Sequence, residues 1–124
     1  MKGTLVLAAL LLASVPSAHA GTPADGNQLL RYCQLALHLV DAGDLPSQDM
    51  GNASHCIGTV HGAADTLIFL HKIQPPNGVT VEQEVRIVVK YMEDHPAKLA
   101  KPDVAIIFEA LSEVFPAKNL RWQR

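Results

Sequence analysis

No basic run or basic patch occurs in this sequence, and the formal net charge is −2. Nucleic acid is therefore not the partner the chain is built for. Beyond the first twenty residues no apolar run approaches the ~18 residues that a membrane-spanning helix requires. No stretch alternates apolar and polar residues for long enough to read as a strand. Internal repeats and low-complexity segments are missing. So are the G-x-S-x-G turn of a serine hydrolase and a glycine-rich loop that could cradle phosphates. Only two cysteines are present, which limits intramolecular disulfides to one pairing.

What is present begins with an export signal. Met1-Lys2 gives a short positive start, Leu5 to Leu12 an unbroken apolar core, and Val15-Pro16-Ser17 a break. Ala18-His19-Ala20 is the small-x-small pattern that signal peptidase reads. Residues 1–20 are thus expected to be a cleaved signal peptide of the Sec pathway, too short to remain as an anchor. Gly21 follows the cut where a bacterial lipoprotein would carry Cys, so release into the periplasm is expected, with no membrane association after cleavage. The mature part, 21–124, has the length of one domain. It carries a mildly negative charge.

Cys33 and Cys56 both lie in the mature part. In an oxidising compartment an even count reads as a disulfide. Closing a loop of about two dozen residues is worth roughly 3 kcal/mol on the chain-entropy model. The competing reading is a reactive thiol near a histidine, which oxidation would silence.

Apolar spacing divides the mature chain into about four helices. Residues 21–26 read as a frayed terminus. Leu29, Leu30, Cys33, Leu37 and Val40 mark a first helix over 27–40, and Gly43 and Pro46 punctuate the loop after it. A second helix is expected over 49–71. Its stripe is Cys56, Val60, Ala63, Leu67 and Leu70, with Gly58, Gly62 and Phe69 opposite, which predicts packing on both sides and a close backbone approach at the two glycines. Pro75-Pro76 and Asn77-Gly78 stop that helix. Thr80 and Gln83 form a capping box for a third helix with the stripe Val81, Val85, Val88 and Met92, ending near Asp94. Glu82 and Arg86 make an i,i+4 pair on its wet side. Residues 95–102 connect to a fourth helix opened by Pro102, with Val104, Ile107, Leu111 and Val114 as its stripe and Pro116 as its end. Trp122, the one tryptophan, lies in the tail. The expectation is an all-α small helical bundle with one disulfide.

Little in the chain suggests catalysis. The mature histidines are His38, His55, His61, His71 and His95. His61 and Asp65, four apart, could share a helix face, but two ligands do not make a zinc site, and a hydrogen-bonded surface pair is the plainer reading. No metal and no cofactor are expected. With no catalytic constellation in view, a binding or inhibitory role becomes the default.

Three stretches resemble one family, the type VI secretion amidase immunity proteins, or Tai family. The first is Cys56-Ile57-Gly58 followed by Gly62 and Asp65. The second is Pro75-Pro76-x-Gly78-Val79-Thr80, then Gln83, Val88-Val89-Lys90-Tyr91 and His95-Pro96. The third is Glu109-Ala110-Leu111 with Phe115-Pro116. Cys33 matches the cysteine of the family's first helix. Thr59 stands where the family usually has an aromatic, and Glu84 where an apolar residue usually follows the glutamine. Gln74 and Ala117 stand where many members carry a second cysteine pair, which implies a looser tie between the proline loop and the end of the last helix.

The resemblance implies a periplasmic homodimer that binds a peptidoglycan amidase effector and blocks its active-site groove, with no catalytic residue of its own. Gly58, Gly62 and Asp65 then belong to helix packing. Asp94, His95 and Lys98, in the connection after the third helix, are the first candidates for partner binding, because loops on rigid helices often carry binding residues. The rival reading gives His95 and Pro96 only a capping and turning role. Glu84 is a second candidate, a carboxylate at the edge of an apolar face, against the alternative of a solvated edge. A different class of function, a small periplasmic acid-stress chaperone of the HdeA kind, would also suit a helical chain with one disulfide and five mature histidines.

The export reading has a direct check. Intact-mass analysis of protein recovered from the periplasm is expected to give Gly21 as the first residue; a chain that retains Met1 contradicts it.

Overall fold

The computed structural model describes residues 24–118; residues 1–20, expected to be a signal peptide, and Trp122 lie outside them. Four helices follow one another: α1 (Gly26–Ala42), α2 (Ser47–Phe69), α3 (Val81–Asp94) and α4 (Asp103–Val114), with a 3-10 turn at Pro96–Lys98 between the last two. Among the described residues there is no strand, only two isolated bridges. The all-α bundle expected from apolar spacing is what forms.

Local chemistry sets each boundary. The Asp25 side chain accepts from the Gln28 backbone N–H at 3.0 Å and opens α1, as an N-cap should. Gly43, in the left-handed region at φ 77°, closes it. Pro46 precedes α2, and α2 ends in a turn that places His71 at φ 55°. The Lys72 N–H reaches back to the Leu67 carbonyl at 2.8 Å there, the closure that usually employs glycine at the left-handed position. At α3 the capping box is complete. The Gln83 N–H donates to the Thr80 hydroxyl at 3.2 Å, and the Thr80 N–H donates to the Gln83 side chain at 2.8 Å.

The core is aliphatic, as a sequence with 5% aromatics requires. Cys33 and Cys56 sit at its centre, bonded, with Cα atoms 5.1 Å apart and no exposure. Around them pack Leu29 and Ala36 of α1, Val60, Ala64 and Leu67 of α2, Val85, Val88 and Met92 of α3, and Ile106, Ile107, Ala110 and Leu111 of α4. Arg86 pairs with Glu82, as the i,i+4 spacing predicts, and also with Asp41 at the end of α1.

The structure corrects several expectations. Residues 24–26 are not frayed. Gly26 is buried, its N–H donates to the Lys101 carbonyl at 3.1 Å, and the Asp103 N–H donates to the Ala24 carbonyl at 3.0 Å. The α4 stripe is rotated: Val104 and Val114 are exposed, and Ile106 and Ala110 are buried with Ile107 and Leu111, because α4 packs against both α2 and α3. Pro102 stands one residue before the helix, at its N-cap. Among the described residues nothing packs at the two glycines on the second side of α2. A Cβ on Gly58 or Gly62 would meet nothing within 4 Å, and Phe69 is 82% exposed. α2 buries one seam, and the glycines face away from it. The tie expected to be loosened at Gln74 and Ala117 is kept by backbone. Ile73 and Pro116 form a bridge, and the Gln74 N–H donates to the Phe115 carbonyl at 3.1 Å.

The glycine that matters for packing is Gly26. A Cβ there would lie 2.9 Å from both the Cα and the carbonyl oxygen of Leu99, and 2.2 Å from Ile106 Cδ1. Ile106 can turn away; the Leu99 backbone cannot. Gly26→Ala is expected to destabilise the fold by ~1–3 kcal/mol. Gly58→Ala and Gly62→Ala, in open helical positions, should each stabilise by ~0.5–1 kcal/mol. Urea denaturation checks both signs, and a loss at Gly58 or Gly62 would mean that something outside the chain packs there.

Candidate functional site

Two surfaces carry chemistry, one at each end of α3. At the C-terminal end, Pro96 supplies no N–H and disfavours helix at the residue before it, so the chain leaves α3 at His95 and turns through Pro96–Lys98. The Tyr91 carbonyl accepts from His95 Nδ1 at 2.8 Å, and the two rings stack with centroids 4.3 Å apart. The Tyr91 hydroxyl donates to Glu109 Oε2 at 2.8 Å and accepts from Lys98 Nζ, which also pairs with Glu109 at 3.0 Å. Lys101 reaches the other oxygen of Glu109. Hydrogen bonds from Lys101, then Tyr91 and Lys98, hold the Glu109 carboxyl down to about 2. Asp94 stays outside this cluster and pairs with Lys90 at 2.9 Å. Asp94 and His95, with Ile87, Tyr91 and Val114, line a hollow of about 130 Å³ beside the turn.

At the N-terminal end lies a larger groove of about 510 Å³, between the end of α2, the proline loop and the segment after α4. Glu84 lines it and is the one charged residue that is buried among those described, at 6% exposure. The Glu84 carboxylate is not a solvated edge. Its position in the first turn of α3 suits a negative charge, but the flanking Val85 and Val88 carry it into the bundle. Desolvation pushes its pKa above the ordinary 4.5, against the opposing pull of His61. His61 Nδ1 lies 3.2 Å from Glu84 Oε2, and Nε2 lies 3.7 Å from Asp65 Oδ2. The two carboxylates face opposite nitrogens of one ring, so the three groups do not converge on a point. Among the described residues no group of three His, Cys, Asp or Glu is placed to hold a metal ion. No described helix is long and apolar enough to cross a membrane.

The predicted residues thus divide. His95 and Lys98 come together around Tyr91, and His95 does cap and turn the chain. Asp94 is their neighbour but points elsewhere. Glu84 stands about 16 Å from His95 along the helix axis and belongs to a different surface. Asp65 is exposed and joins Glu84 through His61. Sequence reading missed the pair of His61 and Glu84, 23 residues apart on separate helices, and the convergence of Lys98 and Lys101 on Glu109. The available signal was an acid in the flank of an otherwise valine-rich stripe, and two lysines three apart just before a helix that carries one inward acid.

A family model described as Rap1a immunity proteins matches residues 25–117, a span that takes in all four helices and both surfaces. No curated protein and no solved structure matches.

The two glutamates predict opposite responses to pH. The folded-state pKa of Glu84 is raised, so its contribution to stability is full below about 4.5 and is lost as pH rises through the folded value. For Glu109 the folded pKa is depressed, so its contribution is full above about 4.5 and is lost as pH falls toward 2. Glu84→Gln should therefore raise the melting temperature at pH 7 and lose that gain at pH 4. Glu109→Gln should lower it at pH 7, with the deficit closing as pH falls through the same range. Thermal melts from pH 2 to 8 test the pair; parallel profiles would show that neither carboxylate is perturbed as described.

Proposed function

The chain belongs to the Rap1a immunity proteins, and on that footing we propose that it is a periplasmic immunity protein that binds a peptidoglycan amidase delivered by type VI secretion and covers its active-site groove. The observation that carries this reading is the family match, which extends from the N-cap of α1 to the end of the bundle. The export signal agrees with it, since peptidoglycan lies where residues 1–20 would send the protein. Protection by occupation needs no catalytic group.

The contact surface we assign to the amidase is the turn after α3, with Asp94, His95 and Lys98. Its support is stiffness. Stacking of His95 on Tyr91, and the grip of Lys98 and Lys101 on Glu109, fix the turn before any partner arrives. A fixed turn loses little conformational entropy on docking. The hollow beside it, floored by Ile87 and walled by Val114, offers an apolar contact next to the Asp94 and Glu113 carboxylates. A second copy of the chain is the cover we assign to the exposed side of α2, where Phe69 stands free and the two glycines leave room for another backbone.

Nanomolar neutralisation corresponds to about −12 kcal/mol, within reach of an interface of roughly 800 Å² per partner. An amidase encoded beside this gene, expressed in the periplasm, is expected to lyse cells alone and to spare them when this protein is present. Asp94→Arg should weaken the purified complex by tenfold or more, because it reverses the charge at the lip of the hollow, and should leave the fold intact because Asp94 makes only a surface pair. Equal lysis with and without the protein, together with no complex on gel filtration, would remove the amidase reading.

A further inference from the structure

The groove at the N-terminal end of α3 is left unused by that reading, and it is unusual in three ways. It holds the one buried charge among the described residues, Glu84. It is walled by apolar groups, with Ile68, Pro75, Pro76 and Val79 beside the buried Ile73. Its mouth carries His71, held in the left-handed region where α2 closes, at a position that usually takes glycine.

The charged and titratable groups that line the groove are His61, Asp65 and His71 from α2 and the turn after it, Glu84 from α3, and Lys118 beyond α4. His61 lies between the two carboxylates, one at each ring nitrogen. A neutral imidazole has one N–H, so it can donate to one of them and not to both. Among the described residues neither carboxylate is paired with a lysine or arginine. Glu84 accepts from His61 through Oε2. No buried side-chain oxygen is left without a partner, so its remaining oxygen meets the groove rather than the core. Lys118, Gln74 and Asn77 also line the groove, but among the described residues none of them reaches either carboxylate, and Ile68, Pro75, Pro76 and Val79 give it one apolar wall.

We infer that this groove receives an arginine side chain presented by a protein partner, with the guanidinium on Glu84 and Asp65 and the aliphatic stem against Ile68, Pro75 and Pro76. A guanidinium carries five N–H donors in a planar fork and is always charged. With the half-exposed His61 ring turned aside, it can therefore bridge the two carboxylates, of which a neutral His61 serves one. The stem of an arginine covers apolar surface while its head is held by charge. Lysine offers a compact ammonium, which suits one carboxylate better than two. Any partner that presents an arginine on an extended segment would fit, whether or not that partner is an amidase.

The test uses the exported chain and small probes. N-acetyl-arginine amide and its neutral isostere N-acetyl-citrulline amide are titrated at pH 7.5 and followed by amide and side-chain NMR shifts. The arginine probe should move Ile68, Gln74, Asn77, Gly78 and Glu84, and should bind at least tenfold more tightly than citrulline, as loss of a charged hydrogen-bond partner implies. Glu84→Gln keeps the shape of the side chain and should remove most of that preference. Asp65→Asn, at an exposed position, should remove part of it without touching the fold. Equal binding of the two probes, or an arginine preference that survives both substitutions, overturns the inference. So does a wild-type chain that binds neither probe while an Arg121→Ala, Arg124→Ala double variant binds arginine, since the chain's own tail would then be the occupant.

Discussion

The bond between Cys33 and Cys56 is the constraint from which the rest of the bundle is arranged. It joins the middle of α1 to the middle of α2 at a point with no exposure, and so fixes where the two helices cross. α3 and α4 then pack onto that pair through valine, isoleucine, leucine and alanine. A small domain buries a modest share of its surface, and few of these core side chains are large. With Tyr91 the one buried aromatic among the described residues, the covalent link takes over part of the work of holding the layers in register. Two backbone bridges, Asp25 with Pro102 and Ile73 with Pro116, tie distant segments further. The second of these stands where the resembled family often has another disulfide.

Helix positions and the disulfide were legible because local signals determine them. Gly43, Thr80 with Gln83, and Pro96 act within a few residues of where they stand. The buried face of α4 was not legible. Val104 and Val114 fit a helical stripe as well as Ile106 and Ala110 do, and only the direction from which α2 and α3 approach decides between them. The glycines of α2 were misread for a related reason. Small residues permit close packing, but whether anything comes close depends on neighbours that the sequence does not name. Gly26, which looked like part of a loose end, is the position where a close approach does occur.

The polar chemistry of the bundle divides between the two ends of α3. Tyr91 and Glu84 stand seven residues apart, two turns, on the flank of the same apolar seam. One turns toward Glu109 of α4 and the other toward His61 of α2. Around Tyr91 its hydroxyl, Lys98, Lys101 and Glu109 are all paired with one another, and the result is a stiff turn. Around Glu84 the partners are too few, and the result is a groove with unmet demand. His61 pairing with Asp65 could be read from i,i+4 spacing; its shorter contact with Glu84 could not, because it bridges helices that only the fold brings together.

The stitch at Gly26 has a consequence for the order of assembly. The cysteines lie on consecutive helices joined by a short loop, so the hairpin of α1 and α2 brings them together through a local search. The contacts of Gly26 with Leu99 and Lys101 close a loop three times longer, and loop closure grows more costly with length while long-range contacts slow folding. The first turn of α1 therefore docks late, after α4 has found its place. Until it does, the folding chain holds an oxidised hairpin whose buried face is only partly covered, and that interval is when the molecule is most open to proteases.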